Sequence, residues 1–276
     1  MSKAAAGVPA KFDCPGALPY GPGVPPARLP AWLLLGCLTL LAACSGGGSE
    51  CGPARVPTPL DHAVTGRITG TVDFQGPVPA MTPLPLSGEP ACAAQHSGPV
   101  PSGDALVEDG HVANAFVYIR DGLGGRTFAT PTEPVTIDQR GCLYEPHVVG
   151  AETCQPIVFV NSDALLHNVH GSPTHSPAWN FAMGVQGGTR TVRVAEPEVM
   201  VDVRCDVHPW MRAYVGVLDH PYFAVTGADG RFTLADVPPG DYVIASWHER
   251  FGTREAKVTL GPRETTRTDL VYSAAR

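Results

Sequence analysis

The stretch Cys205-Asp206-Val207-His208-Pro209-Trp210-Met211 constrains this chain more than any other. A thiol, an imidazole and a thioether follow one another with two residues between each. They stand at the end of an alternating run in which Val199, Val201 and Val203 share one side and Cys205 continues it. A period of two over that length predicts a half-buried strand, with the sulfur and nitrogen groups on the loop that leaves it. Upstream, Asn161-Ser162-Asp163-Ala164-Leu165-Leu166-His167-Asn168-Val169-His170 offers a second imidazole beside another apolar run.

Thiolate and thioether are soft donors that favour copper(I), and imidazole suits both copper(I) and copper(II). Two imidazoles, one thiolate and a weak thioether are the ligand set of an electron-transfer copper site. His167 and His208 would bind as neutral rings and Cys205 as a thiolate, so metal uptake should release protons. Taken singly, Cys205 reads as half of a disulfide, His208 as a surface residue and Met211 as packing; together they read as a metal site. His147, His170 and His175 read as ordinary loop or strand-end histidines, and Met183 as packing. Asp202 and Asp206 flank the strand end and are expected to tune charge there.

The run from Cys205 to Arg212 resembles the ligand loop of amicyanin-type cupredoxins, which share the spacing, the Pro after the His, the aromatic, and Met-Arg. Ile137 to Asn161 and the Leu166-His167-Asn168-Val169-His170 segment are similar to two strands and the first-histidine segment of that family. The resemblance covers residues 130–218 and departs from the family at Cys142, His147 and Cys154. It implies His167, Cys205, His208 and Met211 as ligands of one type 1 copper. It implies Asn168 as the residue that holds the strands together and hydrogen-bonds near the thiolate. It also implies electron transfer through an exposed edge of His208, rimmed by Pro209 and Trp210, to a redox protein such as a dehydrogenase or cytochrome.

Composition fits such a scaffold. With 31 Gly, 29 Pro and only 16% charged residues in 276, the chain is rich in turns and poor in long helices. A formal charge of −7 argues against nucleic acid, since nothing would neutralise phosphates.

The N-terminus reads as a targeting segment. An apolar stretch from Ala31 to Ala43 follows Arg28, too short to span a bilayer but suited to a signal-peptide core. Leu41-Ala42-Ala43-Cys44 resembles the bacterial lipobox, which implies lipidation of Cys44; the alternatives are an ordinary cleaved signal or an uncleaved anchor. Ser45-Gly46-Gly47-Gly48-Ser49 reads as the start of a flexible tether over residues 45–64. The expectation is a lipid-anchored protein of the bacterial envelope facing the periplasm, with Ser45 favouring the outer membrane. Export makes disulfides available. Of the eight cysteines, Cys14 and Cys37 leave with the signal, and Cys51, Cys92, Cys142 and Cys154 remain after Cys44 and Cys205. Four allow three pairings; Cys92 with Cys142 is preferred, because Cys51 falls in the expected tether.

Elsewhere the chain reads as short strands. Arg67–Phe74 alternates, Val112–Ile119 predicts another strand, and Ala228-Asp229-Gly230-Arg231 is a hairpin signal. Val243–Trp247, Glu255–Leu260 and Thr265–Tyr272 follow. The run Asp229-Gly230-Arg231-Phe232 through Pro238-Pro239-Gly240-Asp241-Tyr242 resembles the carboxypeptidase regulatory-like (transthyretin-like) β-sandwich. The opening strand of that family is matched at Gly66–Val72. The fold class expected is therefore all-β: a Greek-key cupredoxin sandwich over 129–218, inserted into a discontinuous transthyretin-like sandwich of 65–128 and 219–276. The alternative is a longer cupredoxin using the N-terminal strands, with a small appended sandwich.

No H-E-x-x-H helix, G-x-S-x-G elbow or strand-borne G-x-G-x-x-G is present, so no enzyme is expected. Trp247-His248-Glu249-Arg250 reads as a strand end with charges facing solvent. Copper storage or delivery, and a metal-free structural or adhesion module, are the competing functions.

Overall fold

The computed structural model describes residues 51–274. The targeting segment, Cys44 and the Ser45–Ser49 run lie outside them.

Four strands come first: β1 (Gly66–Gln75), β2 (Val107–Glu108), β3 (His111–Val112) and β4 (Phe116–Asp121). A central series follows: β5 (Val135–Arg140), β6 (Leu143–Glu145), β7 (Val148–Glu152), β8 (Ile157–Asn161) and β9 (His167–Ser172). It continues with β10 (Trp179–Met183), β11 (Thr189–Val192), β12 (Glu198–Arg204) and β13 (Arg212–Leu218). The last are β14 (Phe223–Val225), β15 (Arg231–Val237), β16 (Gly240–His248), β17 (Gly252–Leu260), β18 (Thr265–Arg267) and β19 (Leu270–Ser273). The fold of the described residues is all-β, with two short helical turns, at Leu86–Gly88 and Pro90–Ala93.

The central strands form two sheets, β10-β9-β12-β13-β7 and β11-β8-β5-β6. Their inward side chains meet in one core that includes Ile137, Phe159, Val169, Val201, Val203 and Val215. Each such side chain contributes about 1.5–3 kcal/mol on burial. The remaining strands form β15-β1-β3-β2, with β18 and β19 also on β1, and β14-β4-β16-β17. Ile68, Val72, Ile119, Leu234, Ile244 and Tyr272 fill the space they enclose. β1 pairs antiparallel with β15 (Ile68 opposite Leu234) and parallel with β19 (Val72 opposite Leu270). This sheet therefore needs strands from both sides of the central series.

A third cluster joins the two sandwiches. Phe116 of β4 packs with Val148 of β7 and with Tyr214 and Leu218 of β13. Glycine makes room for it: a Cβ at Gly216 would fall 2.4 Å from the Phe116 ring, and one at Gly150 would fall 2.3 Å from Phe223.

Three local expectations are corrected. The single strand over Val112–Ile119 is two, because Asn114 takes a left-handed conformation (φ 59°) and breaks the pairing. The turn at Ala228–Arg231 joins strands of different sheets and is no hairpin, since β14 pairs with β4 and β15 with β1. Residues 51–64, read as tether, are fastened to the body. Cys51 is bonded to Cys154, Thr58 N–H donates to Thr127 O at 2.9 Å, and an Arg55 guanidinium N–H donates to Asp219 O at 3.1 Å. The second disulfide joins Cys92 to Cys142. With sequence separations of 103 and 50, loop-closure entropy assigns the bonds about 5 and about 4 kcal/mol.

Candidate metal centre

The site grows out of β12. Val201 and Val203 point into the core while Asp202 and Arg204 point out, and Cys205 continues the inner side at 2% exposure. Arg204 is paired with Arg212 across β12 and β13, so residues 205–211 form the connection between these strands. Two backbone bonds tighten it: Met211 N–H donates to His208 O at 2.9 Å, and Cys205 N–H to Met211 O at 3.2 Å. This folds His208 back over Cys205, and Met211 is buried in the same core.

His167 opens β9, opposite Met183 of β10. Its Nδ1 lies 3.0 Å from Nδ1 of His208, and that nitrogen lies 3.8 Å from Cys205 Sγ. Ligand atoms of the three side chains all fall within 4.8 Å of one another, and all three are buried. Donors bound at ~2.0–2.3 Å to one ion stand roughly 3–4 Å apart, so the spacing suits a shared metal. Cys205 is the free cysteine among the described residues. Its sulfur accepts backbone N–H bonds from Asn168 at 3.3 Å and His208 at 3.4 Å. Burial first, and then His167, hold His208 below the usual imidazole range, against the pull of Glu89 and Asp163. A neutral ring is the ligating form. A thiol and two imidazoles fit copper, and Met211, the fourth expected ligand, is buried in the same core as Cys205.

Asn168 ties the centre to its strands. Its side-chain oxygen accepts from Asp206 N at 3.1 Å, and its amide donates to Asn180 Oδ1 at 2.6 Å. Tyr144 donates its hydroxyl to Asn168 O at 2.5 Å. Burial, with Cys205 and Asp206, pushes that phenol above its ordinary range.

Sequence reasoning missed two neighbours. Asp163, buried at 3% exposure, accepts from His167 Nε2 at 2.8 Å and from the backbone N–H of Gly141 and Cys142 at 2.9 and 2.8 Å. A carboxylate four residues before a candidate histidine was the signal available. Gln139 donates to Met183 Sδ at 3.0 Å, and no pattern announced it.

Little of the His208 edge reaches solvent: it is 4% exposed, and the Cys92 and Cys142 sulfurs lie within 4.8 Å of one of its ring nitrogens. Trp210 turns toward that bond, its indole N–H donating to Cys142 O at 3.0 Å, while Pro209 stays exposed. The 247–250 segment faces solvent only in part, with Arg250 exposed and the rest turned inward. His248 is buried, Glu249 bonds His147, and Arg250 pairs with Asp104 at 3.1 Å. His170 pairs with Asp206 at 3.0 Å, Asp202 takes Arg204 and Arg212, and His175 lies exposed.

No family model matches the chain, and no curated protein matches it. Among solved structures, the chain is similar to the copper-containing nitrite reductase of Thermus scotoductus SA-01 at 20% identity, over 36% of this chain and 25% of that one, with a TM-score of 0.30. The chain thus spans a quarter of that enzyme's length. An oxidised-state mutant of amicyanin matches at 23% identity over 30% of this chain and 81% of its own, with a TM-score of 0.28. A purple cupredoxin from Nitrosopumilus maritimus matches at 17% identity over 30% and 98%, with a TM-score of 0.26.

Proposed function

We propose that this chain is a copper protein that carries single electrons, with the metal held by His167, Cys205 and His208 and, more weakly, by Met211. The observation that carries the reading is the convergence of two Nδ1 atoms and one thiol, 3.0 and 3.8 Å apart, in a chain whose other described cysteines are in disulfides. Bound copper supplies a one-electron couple that soft and borderline donors sustain in both oxidation states. The protein's part is to keep those donors still. β12 and β13 fix the ligand loop, Asp163 fixes the His167 ring, and two backbone N–H groups hold the thiolate charge. Little then needs to move when the electron does.

The partner would be a redox protein such as a dehydrogenase or cytochrome. Exposed apolar side chains beside the ligands, Leu166 at 51%, Val207 at 47% and Val185 at 73%, suit a small transient contact better than the covered His208 edge does. We read the chain as a carrier and not an enzyme. We place it in the bacterial envelope, lipid-anchored through Cys44 and facing the periplasm, a compartment in which two disulfides persist. We also read two domains, with the central one inserted in the other; the pairing of β1 with β15, β18 and β19 supports this. Storage or delivery of copper fits less well, because a buried and covered site exchanges metal slowly.

Redox titration of the copper-loaded protein tests the carrier reading. A reversible one-electron couple, retained through repeated cycles with copper still bound, is expected. Loss of copper on reduction would shift the assignment to storage or delivery.

A further inference from the structure

The loop 82–102 leaves the outer sandwich between β1 and β2 and crosses to the metal centre. Its limbs pair at the base: Leu84 N–H donates to Val100 O at 2.8 Å, and Ser102 N–H to Thr82 O at 3.0 Å. Cys92 at its tip is bonded to Cys142, in the turn between β5 and β6. Both sulfurs lie within 4.8 Å of a ring nitrogen of His208, and all three residues are buried. Leu84, Leu86, Ala93 and Val100 join the core that holds Cys205 and Met211. His96 Nε2 and Gly141 O, 2.8 Å apart, fasten the loop to the same turn. That turn in turn donates the two N–H bonds to Asp163, the carboxylate on His167. A loop from one sandwich is thus stapled over one imidazole of the other and linked to the second.

We propose that loop 82–102 is a lid that traps the metal, and that the Cys92–Cys142 bond is its latch. Metal enters or leaves only when the lid lifts. Once the bond is gone, apolar contacts and the His96–Gly141 hydrogen bond are left to close the lid, and segments held in that way open locally at a free energy well below global unfolding. The cross-link removes most of those open states. Because both sulfurs are fully buried, the bond serves as a fixed staple and is out of reach of thiol attack while the lid is down. The function of the outer sandwich then includes supplying the cover of its neighbour's site.

The inference rests on the copper reading, so two measurements separate them. In the metal-free full chain, alkylation of Cys205 by iodoacetamide under native conditions is followed by peptide mapping. In the copper-loaded chain, extraction by an excess of a copper chelator is followed by the loss of bound metal. Both rates are expected to rise by about tenfold or more in the Cys92→Ser/Cys142→Ser double variant. Leu86→Ala, which keeps the disulfide, is expected to raise both by a smaller factor and covers the case in which the double variant does not fold. Alkylation of Cys205 at the wild-type rate in every folded variant would overturn the lid. Faster alkylation in a chain that binds no copper would keep the lid and overturn the copper reading.

Discussion

Asp163 Oδ2 and His167 Nε2 lie 2.8 Å apart, with both side chains buried. A carboxylate only accepts, so Nε2 carries the hydrogen and Nδ1 is left with its lone pair toward Cys205 and His208. The same carboxylate accepts the N–H groups of Gly141 and Cys142, so it orients the ring from a fixed turn. Partners of this kind are worth about 10–100-fold in metal affinity. Asp163→Ala should therefore weaken copper binding by about that factor in a competition titration. Asp163→Asn, which keeps an acceptor, should lose less. Equal affinity in Asp163→Ala and the wild type would remove Asp163 from the site.

The contact between the sandwiches is equally open to test. Phe116 lies over Gly216, where a Cβ would fall 2.4 Å from the ring. The ring is fully buried between β4, β7 and β13 and cannot yield easily. Gly216→Ala should cost about 1–3 kcal/mol by overpacking. For a chain of this size that lowers Tm by roughly 2–10 °C. The metal-bound spectrum should not change, since the contact is remote from the ligand loop. An unchanged Tm would show that the two sandwiches are not locked there.

Glu152 gives a pH dependence with a definite sign. Burial pushes its carboxyl up to about 7, against the attraction of Arg55 and with help from Asp219, and its Oε2 has no hydrogen-bond partner. Between the unfolded value of 4.5 and about 7 the folded state holds a proton that the unfolded state has released, so stability falls as pH rises through that window. Glu152→Gln copies the protonated side chain. Its Tm should match the wild type near pH 4, exceed it increasingly from pH 4.5 to about 7, and hold a constant advantage above. A gain of the same size at every pH would mean that ionisation is not the cause.

The local chemistry of the centre was legible, and its surroundings were not. Val199, Val201, Val203 and Cys205 carry their own period of two, so β12 and the loop after it could be read from adjacent residues. The strand Gly66–Gln75 was readable for the same reason. At Ala228–Arg231 the turn was legible, but whether its flanking strands shared a sheet depended on distant partners, β4 and β1. Asn114 broke a run that otherwise alternates like a strand: Asn takes the left-handed backbone more readily than most residues, and bonds to Thr226 at Asn114 and Ala115 hold this stretch. The lid was the least visible feature. Residues 82–102 have no period, and although the Cys92–Cys142 pairing was preferred from the sequence and is present, nothing around Cys92 told what the loop would cover. A site's ligands can be read from spacing, whereas its solvent access depends on contacts that spacing does not encode.

The most direct test of the central claim is the visible and EPR spectrum of the protein loaded with copper(II), beside Cys205→Ala treated in the same way. The account predicts an intense visible thiolate-to-copper charge-transfer band with one bound copper per chain, and loss of that band in the variant. Copper bound without the band, or a band that survives removal of the Cys205 sulfur, would contradict it.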